Sequence, residues 1–256
     1  MRKDDLKRIA GREKIPFGTV QNDYVISIIL EIISKLPYSD NLIFKGGTCI
    51  KEIYFPDARF SVDLDFTCLK DVRHELLSNL ESFLTGHTIG DVDFIGVTEE
   101  EKREDSVRFS VKYNDVNGHP TSVKIDLSLR EKLFRTPQAK EVLNPHYADI
   151  PAFKIMALSL EEILAEKVRA AISRGAPRDI YDIWYLLGKG VPFDLELVNE
   201  KLKILKRDKT FTMELFEQCL EEKKTEWKRD LSMLVPEAPK FARVKQQILE
   251  AIHRNH

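Results

Sequence analysis

Residues 41–66 read NLIFKGGTCIKEIYFPDARFSVDLDF, and the order of signals in this stretch decides the fold. Leu42 to Phe44 is a short apolar strand. Gly46-Gly47 is a turn, and Thr48 opens a helix of about two turns that ends near Pro56. Ser61 to Thr67 then alternates, with Val62, Leu64 and Phe66 on one face and Ser61, Asp63 and Asp65 on the other. A glycine pair lets backbone approach a phosphate closely, and a helix opening behind it aims free N–H groups at the anion. Lys51, one turn into that helix, is expected to add positive charge. Two carboxylates on one strand face repel unless a cation sits between them. A hard cation that takes oxygen ligands and also grips substrate phosphates is Mg²⁺. Either half of this pattern alone is ordinary: a diglycine is usually just a turn, and alternate acids are usually a solvated strand face. The ordered combination within some twenty residues carries the signal. No GxxxxGK[ST] loop occurs anywhere in the chain.

Working outward, Tyr24 to Leu36 has apolar residues at helical spacing, with Asn22 or Asp23 expected as its cap. Asp71 to Leu84 is predicted helical. Thr88–Val97, Ser106–Tyr113 and Ser122–Leu129 read as strands, with Asn117-Gly118 as a hairpin turn between the last two. In the last strand Asp126 faces away from Val123, Ile125, Leu127 and Leu129. If that strand neighbours the first, Asp126 is a third carboxylate for the same metals, and an exposed strand acid is an equal alternative. Pro151 to Met156 is a further short strand.

From Ser159 onward the periodicity is helical. Ser159 and Glu162 form a capping-box pattern, and Leu160, Ile163, Leu164, Val168 and Ala171 make an apolar stripe. Lys167 sits inside that stripe, while Glu162, Glu166 and Arg169 lie off it. A lysine aimed at the interior must snorkel, pair with an acid or meet a ligand anion, and contact with a triphosphate is the expectation here. Asp179 and Asp182 follow in RDIYDIW. A place near a helix start accounts for an acid electrostatically and suffices for Asp182; Asp179 is also a candidate to steer a nucleotide or position an attacking group. Helices are further predicted over 194–205, 213–220, 223–234 and 241–253. A soft boundary falls near residue 155, dividing a mixed domain (1–155) from a helical one (156–256) that contributes Lys167 and Asp179.

Composition narrows the partners. The 256 residues carry 40 basic and 42 acidic side chains, net −2, so no global field would hold the chain on DNA or an anionic membrane. Any nucleic acid would need a local basic surface, for which Lys201, Lys203, Lys206, Arg207 and Lys209, then Lys223, Lys224, Lys228 and Arg229, are candidates against the plainer reading of solvated helix faces. The N-terminus has no apolar signal core, and Val25–Ile33, interrupted by Glu31, is far short of a membrane span. Cys49, Cys68 and Cys219, an odd and widely spaced set, fit small buried thiols in a reducing cytoplasm.

NLIFKGGTCIKEIYFPDARFSVDLDF followed by LEEILAEKVRAAISRGAPRDIYDIWYLL (160–187) resembles the AbiEii/AbiGii-type nucleotidyltransferases, toxins of type IV toxin–antitoxin and abortive-infection systems. The resemblance covers residues 17–190 in motif order. It implies an α+β fold: a polymerase-β-like core with a small mixed sheet, followed by an all-helical C-terminal domain. It matches Gly46, Gly47 and Thr48 to the nucleotide turn, Lys51 to the lysine after it, and Ser61, Asp63 and Asp65 to the acid-bearing strand. Lys167 matches the phosphate-contacting lysine and Asp179 the acid of the last motif, while Asp126 takes the place of the wider superfamily's third acid. Implied with these are Mg²⁺, an NTP co-substrate, an RNA (tRNA) or protein acceptor and a co-encoded antitoxin. The alternatives are a nucleotide-binding subunit without turnover and a transferase acting on a small molecule.

Overall fold

The computed structural model describes residues 1–115, 117–143, 145–204 and 210–254. The chain divides into two units, Met1–Lys132 with Pro137–Ala157, and Leu133–Thr136 with Leu158–His256.

The first unit is a mixed α+β body. Eight strands, β1 (Leu42–Lys45), β2 (Asp63–Cys68), β3 (Thr88–Ile89), β4 (Val92–Arg103), β5 (Ser106–Asn114), β6 (Pro120–Ser128), β7 (Gln138–Glu141) and β8 (Lys154–Ala157), lie in the order β3-β4-β5-β6-β2-β1-β8-β7. The sheet is mixed: β2 runs parallel to β6 and β1 parallel to β8, while the other pairs are antiparallel. Strands β1 and β2 bury Leu42, Ile43 and Phe44 against Leu64 and Phe66, with the Phe44 and Phe66 rings 5.2 Å apart. Eight strands exceed the small sheet expected. The polar edge strand β7 carries no apolar alternation to announce it, and β4 runs on through charged residues as one arm of a hairpin.

Among the described residues four α-helices complete this unit: α1 (Lys3–Glu13), α2 (Phe17–Ser34), α3 (Gly46–Cys49) and α4 (Arg73–Leu84). Helix α2 begins after Pro16, not at Asn22 or Asp23, which are buried inside it. It is enclosed on nearly all sides and packs on β6 and β8, as expected of a helix apolar around its circumference. Helix α3 starts at Gly46 itself, two residues earlier than the sequence suggests, and continues as a π-helix over Ile50–Tyr54.

Among the described residues the elements of the second unit are helices: α5 (Leu160–Ser173), α6 (Pro177–Gly188), α7 (Leu195–Lys203), α8 (Met213–Glu221), α9 (Trp227–Leu231) and α10 (Phe241–Arg254). The Ser159 hydroxyl caps α5 by accepting the Glu162 N–H. Glu162 does not complete the capping box. Its buried carboxylate instead accepts the backbone N–H groups of Phe134 (3.0 Å) and Arg135 (2.9 Å) and an ion pair from Lys201 (2.7 Å). The 223–234 helix shortens to α9, which inserts Trp227 against Phe241. Among the described residues no helix is long and apolar enough to cross a membrane.

Candidate active site

Strand pairing gathers charge on one side of the sheet. Lys45 is opposite Asp65, Asp65 opposite Asp126, Asp126 opposite Arg108, and Arg108 opposite Glu101. Directly opposed residues share a face, so one row crosses five strands as cation, acid, acid, cation, acid. Asp63 lies two residues from Asp65 and shares its side, while the intervening Leu64 is buried. The three predicted acids are therefore brought to one face. Like charges directly opposite destabilise a sheet, and the flanking cations offset this. Arg108 grips Asp126 bidentately at 2.8 and 3.0 Å, and Asp126 and Glu101 in turn raise the arginine's pKa against the opposing effect of burial. Lys45 is buried in an ion pair with Glu131, which also accepts the Thr67 hydroxyl at 3.4 Å. Neither cation carries a local signal in the sequence. Lys45 has the strand parity of Ile43 and Arg108 that of Ser110, but their partners become visible only when the strand order is known.

The diglycine turn abuts the same strand. Gly46 has φ +79°, a left-handed conformation that favours glycine, and a Cβ there would fall on the Asp65 carboxylate. Thr48 donates its hydroxyl to the backbone carbonyl of Asp63. A Cβ on Gly47 would stand 2.7 Å from Arg59 Nη2 and 3.2 Å from Ser61 Oγ. Turn, hydroxyl and acids thus form one local constellation, with Ser61 just outside β2.

Lys51 does not join it. The side chain is 3% exposed, and its ammonium lies 3.0 Å from Asp23 and 2.8 Å from Glu52, over the Phe60 ring. Two expectations fail together. Asp23 is not a helix cap but a buried acid in mid-helix, and Lys51 is the cation that balances it. Tyr147 donates a 2.7 Å hydrogen bond to the same Asp23 carboxylate. Lys51 is accordingly withdrawn from the nucleotide-binding set.

This buried cluster makes stability depend on pH. Burial pushes Glu52 up to about 7, against the attraction of Lys51 and with the repulsion of Asp23. His146, nearby, is pushed down by its own burial and by Lys51. A carboxyl raised above its unfolded value stabilises the fold while protonated, so its contribution is full below about 4.5 and fades as pH rises through about 7. Glu52→Gln keeps the shape without the charge. Its stability relative to wild type, measured by urea unfolding, should therefore rise from pH 5 to pH 8. A difference that stays flat across that interval contradicts the assignment.

In the second unit, Lys167 on α5 lies within the apolar interior, as its periodicity indicates. Its ammonium donates to Asp179 Oδ1 at 2.9 Å and lies 2.8 Å from Asp182 Oδ2, both acids on α6. Asp182 is a full partner of the lysine, beyond what the helix dipole accounts for. Arg174 approaches Asp179 from the other side at 3.6 Å.

Among the described residues, four members of the basic clusters are paired with acids. Lys201 is fully buried between Glu162 and Glu166, so it faces no acceptor. Lys203 pairs with Glu200, Lys224 with Glu221, and Arg229 with Asp230. Lys206, Arg207 and Lys209 lie outside the described residues. Cys49 and Cys68 are buried free thiols raised by that burial, Cys68 to about 12, whereas Cys219 is partly exposed.

Mg²⁺ is bound by one or two carboxylates completed by water and substrate phosphates. Asp63 and Asp65 supply the hard oxygen donors this requires, so the residues fit the ion. Among the described residues no group of three or more His, Cys, Asp or Glu side chains is arranged to hold a metal by itself, and Asp126 is engaged with Arg108.

Comparison with known proteins bears on the fold and on the family. The chain is similar in fold to MenT4, a nucleotidyltransferase toxin from Mycobacterium tuberculosis H37Rv, at TM-score 0.74 and 18% identity over 98% of this chain and 88% of that one. It is also similar to JHP933 from Helicobacter pylori, at TM-score 0.59 and 16% identity over 94% and 93% of the two chains. A comparison with curated proteins finds no match. The profile of the family described as nucleotidyl transferase AbiEii toxin, type IV TA system, matches residues 28–251, a span that takes in the diglycine turn, the acid row and the Lys167 cluster. The chain therefore belongs to the AbiEii family of nucleotidyltransferase toxins of type IV toxin–antitoxin systems.

Proposed function

We propose that this nucleotidyltransferase moves a nucleoside monophosphate from an NTP to the hydroxyl end of an RNA, with tRNA as the favoured acceptor, and releases pyrophosphate. The observation that carries the reading is the diglycine turn packed against the strand of Asp63 and Asp65, with Asp126 in register beside them. This suits a polymerase-β-like catalytic core followed by a helical domain. Gly46, Gly47 and Thr48 are assigned to the triphosphate, with Ser61 at the same turn. Asp63 and Asp65 would hold Mg²⁺, which when bound neutralises charge on the transferring phosphoryl group. Asp126 or Asp179 is assigned to draw the proton from the acceptor hydroxyl. Lys167, matched by motif, is assigned to neutralise developing phosphate charge, for which its ammonium must give up part of its pairing with Asp179 and Asp182. In-line displacement of this kind depends on positioning and electrostatics more than on covalent chemistry. A co-encoded antitoxin would restrain the activity in a cytoplasmic host.

The choice of RNA rests on the family resemblance, not on the basic helix faces, where Lys201, Lys203, Lys224 and Arg229 are paired with acids. The test is incubation of the protein with each α-labelled NTP, Mg²⁺ and total cellular RNA or protein. The expected result is label in a single RNA size class from one favoured NTP, lost when EDTA is added. Label in protein or in a small molecule replaces the acceptor, and label unaffected by EDTA removes the metal.

A further inference from the structure

Arg59 is 4% exposed, in the loop between the π-helix and β2. One guanidinium nitrogen, Nη1, donates to the Phe60 carbonyl at 2.9 Å. The other, Nη2, stands 2.7 Å from the point where a Cβ on Gly47 would be, and Ser61 Oγ stands 3.2 Å from that same point. Gly47 has no left-handed φ to explain it, unlike Gly46. What the second glycine permits is therefore the approach of a side chain of this chain. A buried cation at the nucleotide turn is also what the sequence sought in Lys51, which the fold uses elsewhere.

We propose that Arg59 is the positioning cation of the diglycine turn: from beneath Gly47 it fixes the turn against Ser61 and sets a positive field where the donor's phosphates lie. The inference rests on the nucleotide-donor reading above and extends it to a residue that reading does not use. Because Arg59 is enclosed, it acts through the turn and not as an exposed ligand. Its planar fork matters as well as its charge, since one nitrogen holds the Phe60 carbonyl while another lies at the Gly47 face. Charge in a poorly hydrated setting is weakly screened, so its effect should grow with the number of phosphates on the nucleotide.

The experiment measures binding of mono-, di- and triphosphate forms of the favoured nucleotide by calorimetry, with Mg²⁺, for wild type, Arg59→Met, Gly47→Ala and the double variant. Thermal melts run alongside. Arg59→Met should bind triphosphate about tenfold more weakly, the scale of coupling between touching groups, and monophosphate less than about twofold more weakly, with its melt little changed. Gly47→Ala should show the same graded loss, because a methyl group there displaces the guanidinium. In the Arg59→Met background the glycine change should add less than about twofold. If Arg59→Met does not fold, Arg59→Gln, which removes the charge but keeps N–H donors, carries the same comparison. Equal losses for mono- and triphosphate would make Arg59 merely structural and overturn the proposal. So would a Gly47→Ala loss undiminished in the Arg59→Met background, since the glycine would then serve the phosphate directly. Wild-type protein that binds none of these nucleotides overturns the donor reading and this inference together, whereas binding with the wrong pattern of losses overturns this inference alone.

Discussion

Asp63→Ala should abolish transfer of label from α-labelled NTP, by at least about a thousandfold, while melting within a few degrees of the wild-type protein. The two parts of this expectation come from different features of the residue. Asp63 is only half-buried and lies on the side of β2 opposite the core residue Leu64, so truncation opens no cavity. The hydrogen bond that ties Thr48 to this position is accepted by the backbone carbonyl, which alanine retains. Removing one acid also relieves repulsion with Asp65, which already faces Asp126 across the parallel pair. What is lost is one of two carboxylate donors at the position assigned to the divalent ion, and charge stabilisation of a phosphoryl transfer has few substitutes. Asp63→Ala combined with Asp65→Ala should be scarcely worse than either change alone, as expected of groups that act as one unit. Transfer that survives in Asp63→Ala, or a collapse of the melt without loss of specific activity, would separate this strand from the chemistry.

The parts of this site that could be read in the sequence are those whose partners are near in the chain. The diglycine and the alternate acids lie within twenty residues, and their register is set by short connections. Lys167 was legible for another reason: a charge within an apolar stripe violates helical periodicity, and such a residue needs a partner whatever the fold. Lys51 was misread because its balancing acid, Asp23, is contributed by α2, and no local signal distinguishes a buried mid-helix aspartate from a cap. Lys201 and Glu162 misled in the same way. Each looks like a surface residue on its own helix, yet they neutralise each other inside the second unit. The five-residue charge row was least legible. It depends on the strand order β1-β2-β6-β5-β4, which places Lys45 and Arg108 beside acids far away in sequence. Composition and periodicity describe elements one at a time, whereas this row is a property of their assembly.

Lys167→Met should lower the melting temperature by roughly 10 °C, the largest stability effect expected from a single change at these motifs. Methionine fills the space of the aliphatic stem, so packing along the α5 stripe is kept. The charge balance is not kept. Asp179 and Asp182 are both almost wholly buried, and the ammonium between them lies 2.9 and 2.8 Å from their carboxylates. Taking away one member of a buried ionic cluster leaves uncompensated charge and costs about 3–5 kcal/mol. Arg174 cannot take over, because its guanidinium is 3.6 Å from Asp179 and its side chain is largely in water. Adding Asp179→Asn and Asp182→Asn to Lys167→Met removes the stranded charges and should recover most of the lost melting temperature. That rescue separates two roles of the lysine. If Lys167 and Asp179 also serve the reaction, the stable triple variant still transfers no label. If the triple variant regains transfer, the cluster is a structural clasp between α5 and α6 and the motif match has no catalytic content. A Lys167→Met protein that melts like the wild type would contradict the clasp itself.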